Sequence, residues 1–245
     1  MAKNSATRNG LNYYDQNNYD DLYKYCLEVM LTKYDFVAAI IPESFLTANI
    51  FHEKLFAVIS LTTQMFDDTE CPVCLALWVS VTAKRNEGIE LMNFYVYDKE
   101  ELIGRYSELV SKSQCINSTK KIKLKTNDKN GKIGLRGVDN TKNESIRFIN
   151  GEEIDPNLIK NTSRAITRIS VPYNLSKDDY LKIIKEANII LKEYRKVTHD
   201  VFMTSFKGLR EDGKYRRRLD FKTAKKIINK AIENCVNNKE INIED

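Results

Sequence analysis

Phe36-Val37-Ala38-Ala39-Ile40-Ile41-Pro42-Glu43-Ser44-Phe45-Leu46 is the stretch on which the fold turns. Phe36 to Ile41 is apolar without a break, so it reads as a strand buried on both faces, the habit of sheets covered by helices. Pro42 ends it, because proline has no N–H to give a ladder. Upstream, Asp20 is placed as an N-cap and Asp21 in the first turn of a helix running to about Lys33. Leu22, Cys26, Val29 and Met30 fall on one face of that helix. Residues 1–18, polar and rich in Asn and Tyr, read as a loop. Downstream, Ser44 to Phe56 reads as a turn and a short amphipathic helix, and Ala57–Thr63, Val73–Val81 and Ile89–Tyr97 as strands. This alternation predicts an α/β sheet with helices on its faces.

The pattern changes after about Lys112. Short polar strand-like runs occur at Ile122–Lys125, Lys132–Arg136, Ser145–Ile149 and Ala165–Val171, with Asp128-Lys129-Asn130-Gly131 as a hairpin turn. Ser176 caps a long helix to about Val197, whose apolar face is Tyr180, Ile183, Ile184, Ala187, Ile190, Leu191 and Tyr194. Phe221 to Cys235 reads as a final basic helix, and Asn237–Asp245 as a frayed tail. The expected division is 1–112, an α/β unit; 113–172, a small β-rich module; and 173–245, a helical basic region.

The chain has 245 residues, 42% apolar and 30% charged, with a formal net charge of +5. It has no apolar run near the roughly 18 residues of a membrane span and no signal-like N-terminus, so a cytoplasmic location is expected. Five cysteines give no disulfide framework. Cys71-Pro72-Val73-Cys74 has the spacing of half a zinc site, but no second ligand pair lies near it, and no metal is expected. His52 is expected to be exposed on a helix beside Glu53. His199 and Asp200 adjoin without a nucleophile motif.

Tyr19 to Tyr23 (YDDLY), Val37 to Thr47 (VAAIIPESFLT), Phe66 and Val73 to Trp78 (VCLALW), in this order, resemble consecutive motifs of gamma-class N6-adenine DNA methyltransferases, downstream of their catalytic Asn-Pro-Pro-Tyr. The likeness covers about residues 1–82, and Gly134 to Thr141 (GLRGVDNT) adds to it. It implies part of a Rossmann-like methyltransferase core over 1–112, then target recognition. It further implies S-adenosylmethionine as cofactor, and double-stranded DNA as substrate in a restriction-modification or phage setting. Phe66 would stack on the extruded target base, a contact worth about 1–3 kcal/mol; the ordinary alternative is a ring capping a sheet edge. Asp21, Tyr23 and Cys26 would wall the cofactor's adenine pocket, or be an ordinary first turn.

The family's Gly-rich donor loop does not precede Asp21, and no Pro-Pro occurs anywhere. Gly131, Gly134 and Gly137 lack a preceding apolar strand and suit a hairpin better than a nucleotide loop. The expectation is half of a split enzyme, or a truncated fragment. Isolated, it would be inactive and would need a partner polypeptide with the donor loop and catalytic tetrapeptide. The alternative is a non-catalytic DNA-binding or specificity module; a third is an RNA-directed relative. For DNA contact, Lys207, Arg210, Lys214, Arg216, Arg217 and Arg218 form a flexible basic loop suited to phosphates. Arg136, Arg147, Arg164 and Arg168, near Asn140 and Asn143, stand where guanine and adenine edges could be read. A solvated charged surface is the ordinary alternative for both groups.

Overall fold

The computed structural model describes residues 19, 21–48, 50–61, 65, 66, 71–79, 93–160, 162–238 and 241. The expected loop 1–18, Asp20, residues 62, 63, 80, 81 and 89–92 of the expected strands, and most of the tail lie outside them. The fold is mixed α/β and divides into two compact units, residues 1–61 with 73–107, and residues 62–72 with 108–245.

In the first unit α1 spans Leu22–Lys33. Asp21 is its N-cap, extended at φ −136° and ψ 138°, and its side chain makes no capping bond. The helix ends where the Tyr34 N–H donates to the Met30 carbonyl at 2.9 Å, and Lys33 meets the negative end of the helix dipole. Leu27 is the residue α1 buries, and Cys26, expected on the inner face, is exposed. One residue of misjudgement turns a helix by about 100°, enough to exchange the two.

Strands β1 (Phe36–Pro42), β2 (Leu55–Ser60), β3 (Val73–Val79), β4 (Tyr95–Asp98) and β5 (Glu101–Arg105) form one sheet in the order β1-β3-β2-β4-β5. β3 is antiparallel to β1 over seven pairs, Phe36 opposite Val79 to Pro42 opposite Val73. It is also antiparallel to β2, so β1 and β2 run the same way. β4 is parallel to β2, and β5 returns antiparallel after Lys99, which adopts a left-handed φ of 56°. β5 was not among the strands expected from the sequence. The crossover from β1 to β2 carries α2 (Phe45–Ala48) and a 3-10 turn, His52–Lys54.

Two sequence expectations fail in this unit. β1 is not buried on both faces: Val37 and Ile41 are buried, but Phe36 is 70% and Ile40 43% exposed. Among the described residues β1 is the edge of the sheet, and one of its faces is open. His52 is not exposed either, at 2%. Phe51, with a left-handed φ of 55°, turns the chain inward just before it. The His52 ring then packs edge-on to Phe45 (5.5 Å), Phe94 (5.2 Å) and Tyr106 (5.5 Å). Burial lowers its pKa against weaker opposing influences of the Phe45 backbone and Glu53. Its Nε2 has no hydrogen-bond partner among the described residues.

Helix α3 (Tyr106–Ser113) carries the chain into the second unit. There β6 (Lys125–Thr126), β7 (Ile133–Arg136), β8 (Arg147–Asn150) and β9 (Ile166–Ser170) form an antiparallel sheet in the order β6-β9-β7-β8. The Asp128–Gly131 turn closes as expected, Gly131 N–H to Asp128 carbonyl at 2.9 Å. It does not make a hairpin, because β9 lies between β6 and β7. Gly131 is where the backbones meet: a Cβ there would stand 2.6 Å from the Ile169 nitrogen.

Helices α4 (Lys177–Thr198) and α5 (Phe221–Asn237) pack on this sheet. Ser176 and Asp179 form a capping box at the start of α4, which satisfies two backbone donors that have no partner inside the helix. Ile183, Ile184, Ala187, Ile190, Leu191 and Tyr194 are buried, the face expected from the 3.6-residue period. They share one core with Ile133, Leu135, Phe148 and Ile169 of the sheet and Ala224, Ile227, Ile228 and Ala231 of α5. Segments 113–172 and 173–245, expected apart, are therefore one body. Asn188 of α4 exchanges two hydrogen bonds with the Phe148 backbone (2.9 and 2.8 Å), which closes part of the β8 edge. The expected flexible basic loop is instead a hairpin, β10 (Thr204–Leu209) with β11 (Tyr215–Arg218). Gly208 and Gly213 supply its left-handed positions, φ 87° and 79°. Among the described residues no helix is long and apolar enough to cross a membrane.

Candidate nucleic-acid interface

The residues expected to meet the cofactor lie on the first two turns of α1. Asp21 and Tyr23 are half-buried and Cys26 is exposed. Tyr23 and Cys26, three residues apart, are neighbours on the helix surface. The hollow of about 230 Å³ in this unit lies at the other end of α1, lined by Leu31 to Asp35 with Lys54 and Val79. Phe66 belongs to the second unit and is 44% exposed. Cys71 is exposed and Cys74 buried in β3, where burial pushes its thiol pKa up. No three His, Cys, Asp or Glu side chains are grouped as for a metal ion among the described residues.

The second unit is organised around Asp139, which nothing in the sequence singles out beyond its place in Gly134 to Thr141. Its side chain is wholly buried. Its carboxylate accepts from the backbone N–H of Ser145 (2.7 Å) and Ile146 (3.2 Å) and from both terminal nitrogens of Arg195 (3.0 and 2.9 Å). Arg210 approaches at 3.4 Å. The backbone of Asp139 pairs with Arg217 at 3.0 Å and accepts from Arg216 Nε at 2.7 Å. One residue thus joins the 139–146 loop, α4 and the β10–β11 hairpin. Burial alone would raise the Asp139 pKa. The Arg195 hydrogen bonds and charge, with the Ser145 and Ile146 N–H groups, outweigh this and hold it below the usual value. Arg195 is completed by Asp200, at 2.9 and 2.7 Å.

This network sorts the ten basic candidates. Arg210 is not available to phosphate: its side chain is 3% exposed and is bonded to Asp212 at 3.1 and 2.6 Å. Arg168 is not available to a base edge, because it donates to the carbonyls of Ile154 (2.9 Å) and Lys129 (2.7 Å) and so ties β9 to its neighbours. Arg216 lies over the Phe206 ring at 5.0 Å, and Arg217 donates to Ser205 Oγ. Lys207, Lys214 and Arg164 are exposed, and Arg218 is half-buried.

Arg136 and Arg147 differ from the rest. They are exposed and directly opposite each other on β7 and β8. Like charges facing across a ladder are destabilising, and neither has an ion pair or side-chain hydrogen bond among the described residues. Past them the strands part: the Gly137 N–H turns to the Ala165 carbonyl at 2.7 Å, and Asp139 draws the following loop inward. The parting opens a hollow of about 280 Å³ lined by Arg136, Val138, Asn140, Ser145, Arg147, Ala165 and Ile166.

One further acid escaped the sequence reading, Glu43. Glu43 is 6% exposed and accepts from Ser60 Oγ at 2.7 Å, which ties the end of β1 to the end of β2. Its only sequence signal was its place directly after Pro42. Compared with protein-family models, with curated proteins and with solved structures, the chain finds no match.

Proposed function

We propose that this chain is the downstream half of an S-adenosylmethionine-dependent, adenine-specific DNA methyltransferase. It would act on duplex DNA with a partner polypeptide that brings the donor loop and catalytic tetrapeptide. The observation that carries the split reading is the β1 edge. Natural edge strands are guarded by charges, prolines or bulges. β1 has no charged residue and no bulge from Phe36 to Pro42, its one proline stands at the end, and Phe36 and Ile40 lie open to solvent. Such a strand suits the interior of a larger sheet. S-adenosylmethionine would donate the methyl group, and this chain's part of its site would be Asp21, Tyr23 and Cys26. Phe66 would stack on the extruded adenine.

The test is transfer of labelled methyl groups to duplex DNA, by this chain alone and after co-expression with the polypeptide encoded upstream. The expected result is no transfer alone and restored transfer together, with Phe36→Lys abolishing restoration while leaving each chain folded. Robust transfer by the lone chain would refute the split.

A second reading, a non-catalytic DNA-binding or specificity module, is favoured by the Arg136–Arg147 pair, which lies wholly within the second unit. It predicts salt-dependent duplex binding that no partner converts into methylation.

A further inference from the structure

We infer that the hollow between β7 and β8 is a clamp for one phosphodiester group of duplex DNA, and not a reader of base edges. The inference rests on the DNA-binding part of the function proposed above and assigns that surface its ligand chemistry. The argument begins with Asn140. Its Oδ1 accepts from the N–H groups of Lys142 and Asn143, both at 2.8 Å. Two backbone donors fix which end of the amide is oxygen, so Nδ2, a donor, is what remains. Reading adenine needs both ends of the amide, one to donate to N7 and one to accept from N6. Asn140 has only one end left.

Ser145 Oγ already accepts from the Asn140 N–H at 2.7 Å, which leaves its hydroxyl proton to donate. The Ala165 carbonyl is engaged by Gly137. Glu144, the nearest acid in sequence, lies 3.7 Å from both Arg195 and Arg210. The side-chain groups left around the hollow are therefore two guanidinium ions, one amide N–H₂ and one hydroxyl, donors throughout. On duplex DNA, acceptors alone are presented by a phosphate, by the O6/N7 edge of guanine and by the A N3/T O2 edge of the minor groove. The two opposed arginines decide among them. Their mutual repulsion is relieved by a net negative charge, which phosphate brings and a base edge does not. Arginine also matches phosphate oxygens bidentately.

The experiment compares wild type with the double variant Arg136→Gln/Arg147→Gln in binding duplexes of unrelated sequence over a range of salt. Both arginines are exposed, so circular dichroism should not change, and the thermal midpoint should not fall, since the variant also removes a like-charge repulsion across the ladder. The clamp predicts weakening by a similar factor on every duplex, and a salt slope shallower by about 0.9, the value for one phosphate. Loss restricted to duplexes with guanine at one position, with the slope unchanged, would overturn it in favour of base reading. Unchanged affinity would overturn it altogether while leaving the proposed function standing. A-form RNA competing as well as DNA would overturn the choice of DNA. If the wild type binds no duplex, the proposed function fails, and titration with inorganic phosphate judges the clamp separately. Saturable shifts of the residue 136, 140, 145 and 147 amide resonances, lost in the double variant, support it; their absence in the wild type rejects it.

Discussion

Replacing Asp139 by alanine removes the one carboxylate that the 139–146 loop, α4 and the β10–β11 hairpin share. Arg195, whose side chain is 7% exposed, loses its bidentate partner and keeps Asp200 and, at 3.7 Å, the exposed Glu144. The N–H groups of Ser145 and Ile146 lose their acceptor. Breaking a buried pair from one side costs about 3–5 kcal/mol, because the remaining charge stays desolvated. At about 2–4 °C per kcal/mol this lowers the midpoint of the second unit by about 6–20 °C. Asp212→Ala is the control: Asp212 also binds Arg210 but is 49% exposed, and Arg210 keeps Asp139 and Glu144 when it is removed, so the loss should be clearly smaller than for Asp139→Ala. Urea unfolding followed by far-ultraviolet circular dichroism measures both. Equal effects of the two variants would refute the view that Asp139 is the hub. Acid adds an independent signature. The folded pKa of Asp139 lies below its unfolded value near 3.8, so its contribution is complete above that pH and is lost as pH falls through the folded value. Asp139→Asn should lack that acid-side loss. It should also weaken duplex binding, since Asp139 holds Ser145 in the wall of the hollow.

His52 should make the first unit sensitive to milder acid. Its folded pKa is lowered from 6.5, so stability is full above about pH 6.5 and declines as pH falls from there through the folded value. Trp78, the single tryptophan, lies 5.6 Å from Phe45 in the same cluster, so its fluorescence during urea unfolding at pH 7.5 and 5.5 reports the loss. His52→Phe should abolish the difference between the two pH values, and an undiminished difference would assign it elsewhere. Gly151→Ala should cost about 1–3 kcal/mol, because its Cβ would stand 2.2 Å from the Gly131 carbonyl oxygen. A midpoint within 2 °C of wild type, as an order of magnitude about 1 kcal/mol or less, would show that the loop yields at little cost.

What the amino-acid order determined alone is what neighbours along the chain decide. The buried face of α4 and the Ser176 cap follow from contacts within one or two helical turns, and both were legible. β7 and β9 were legible too, because strand-forming residues and their flanking turns are local. Whether a given polar or apolar side chain meets solvent was decided by the tertiary structure. Arg210 and Arg168 look like Arg136 and Arg147 in sequence, yet the first pair is spent on partners in the fold and the second is not. The carboxylate that engages Arg195 lies 56 residues away in the chain, and no local pattern marks such a partner. The open face of β1 has the same origin. Its unbroken apolar run states that the strand suits a covered sheet, while what covers a strand is set by which surfaces meet in three dimensions rather than by the residues of the strand.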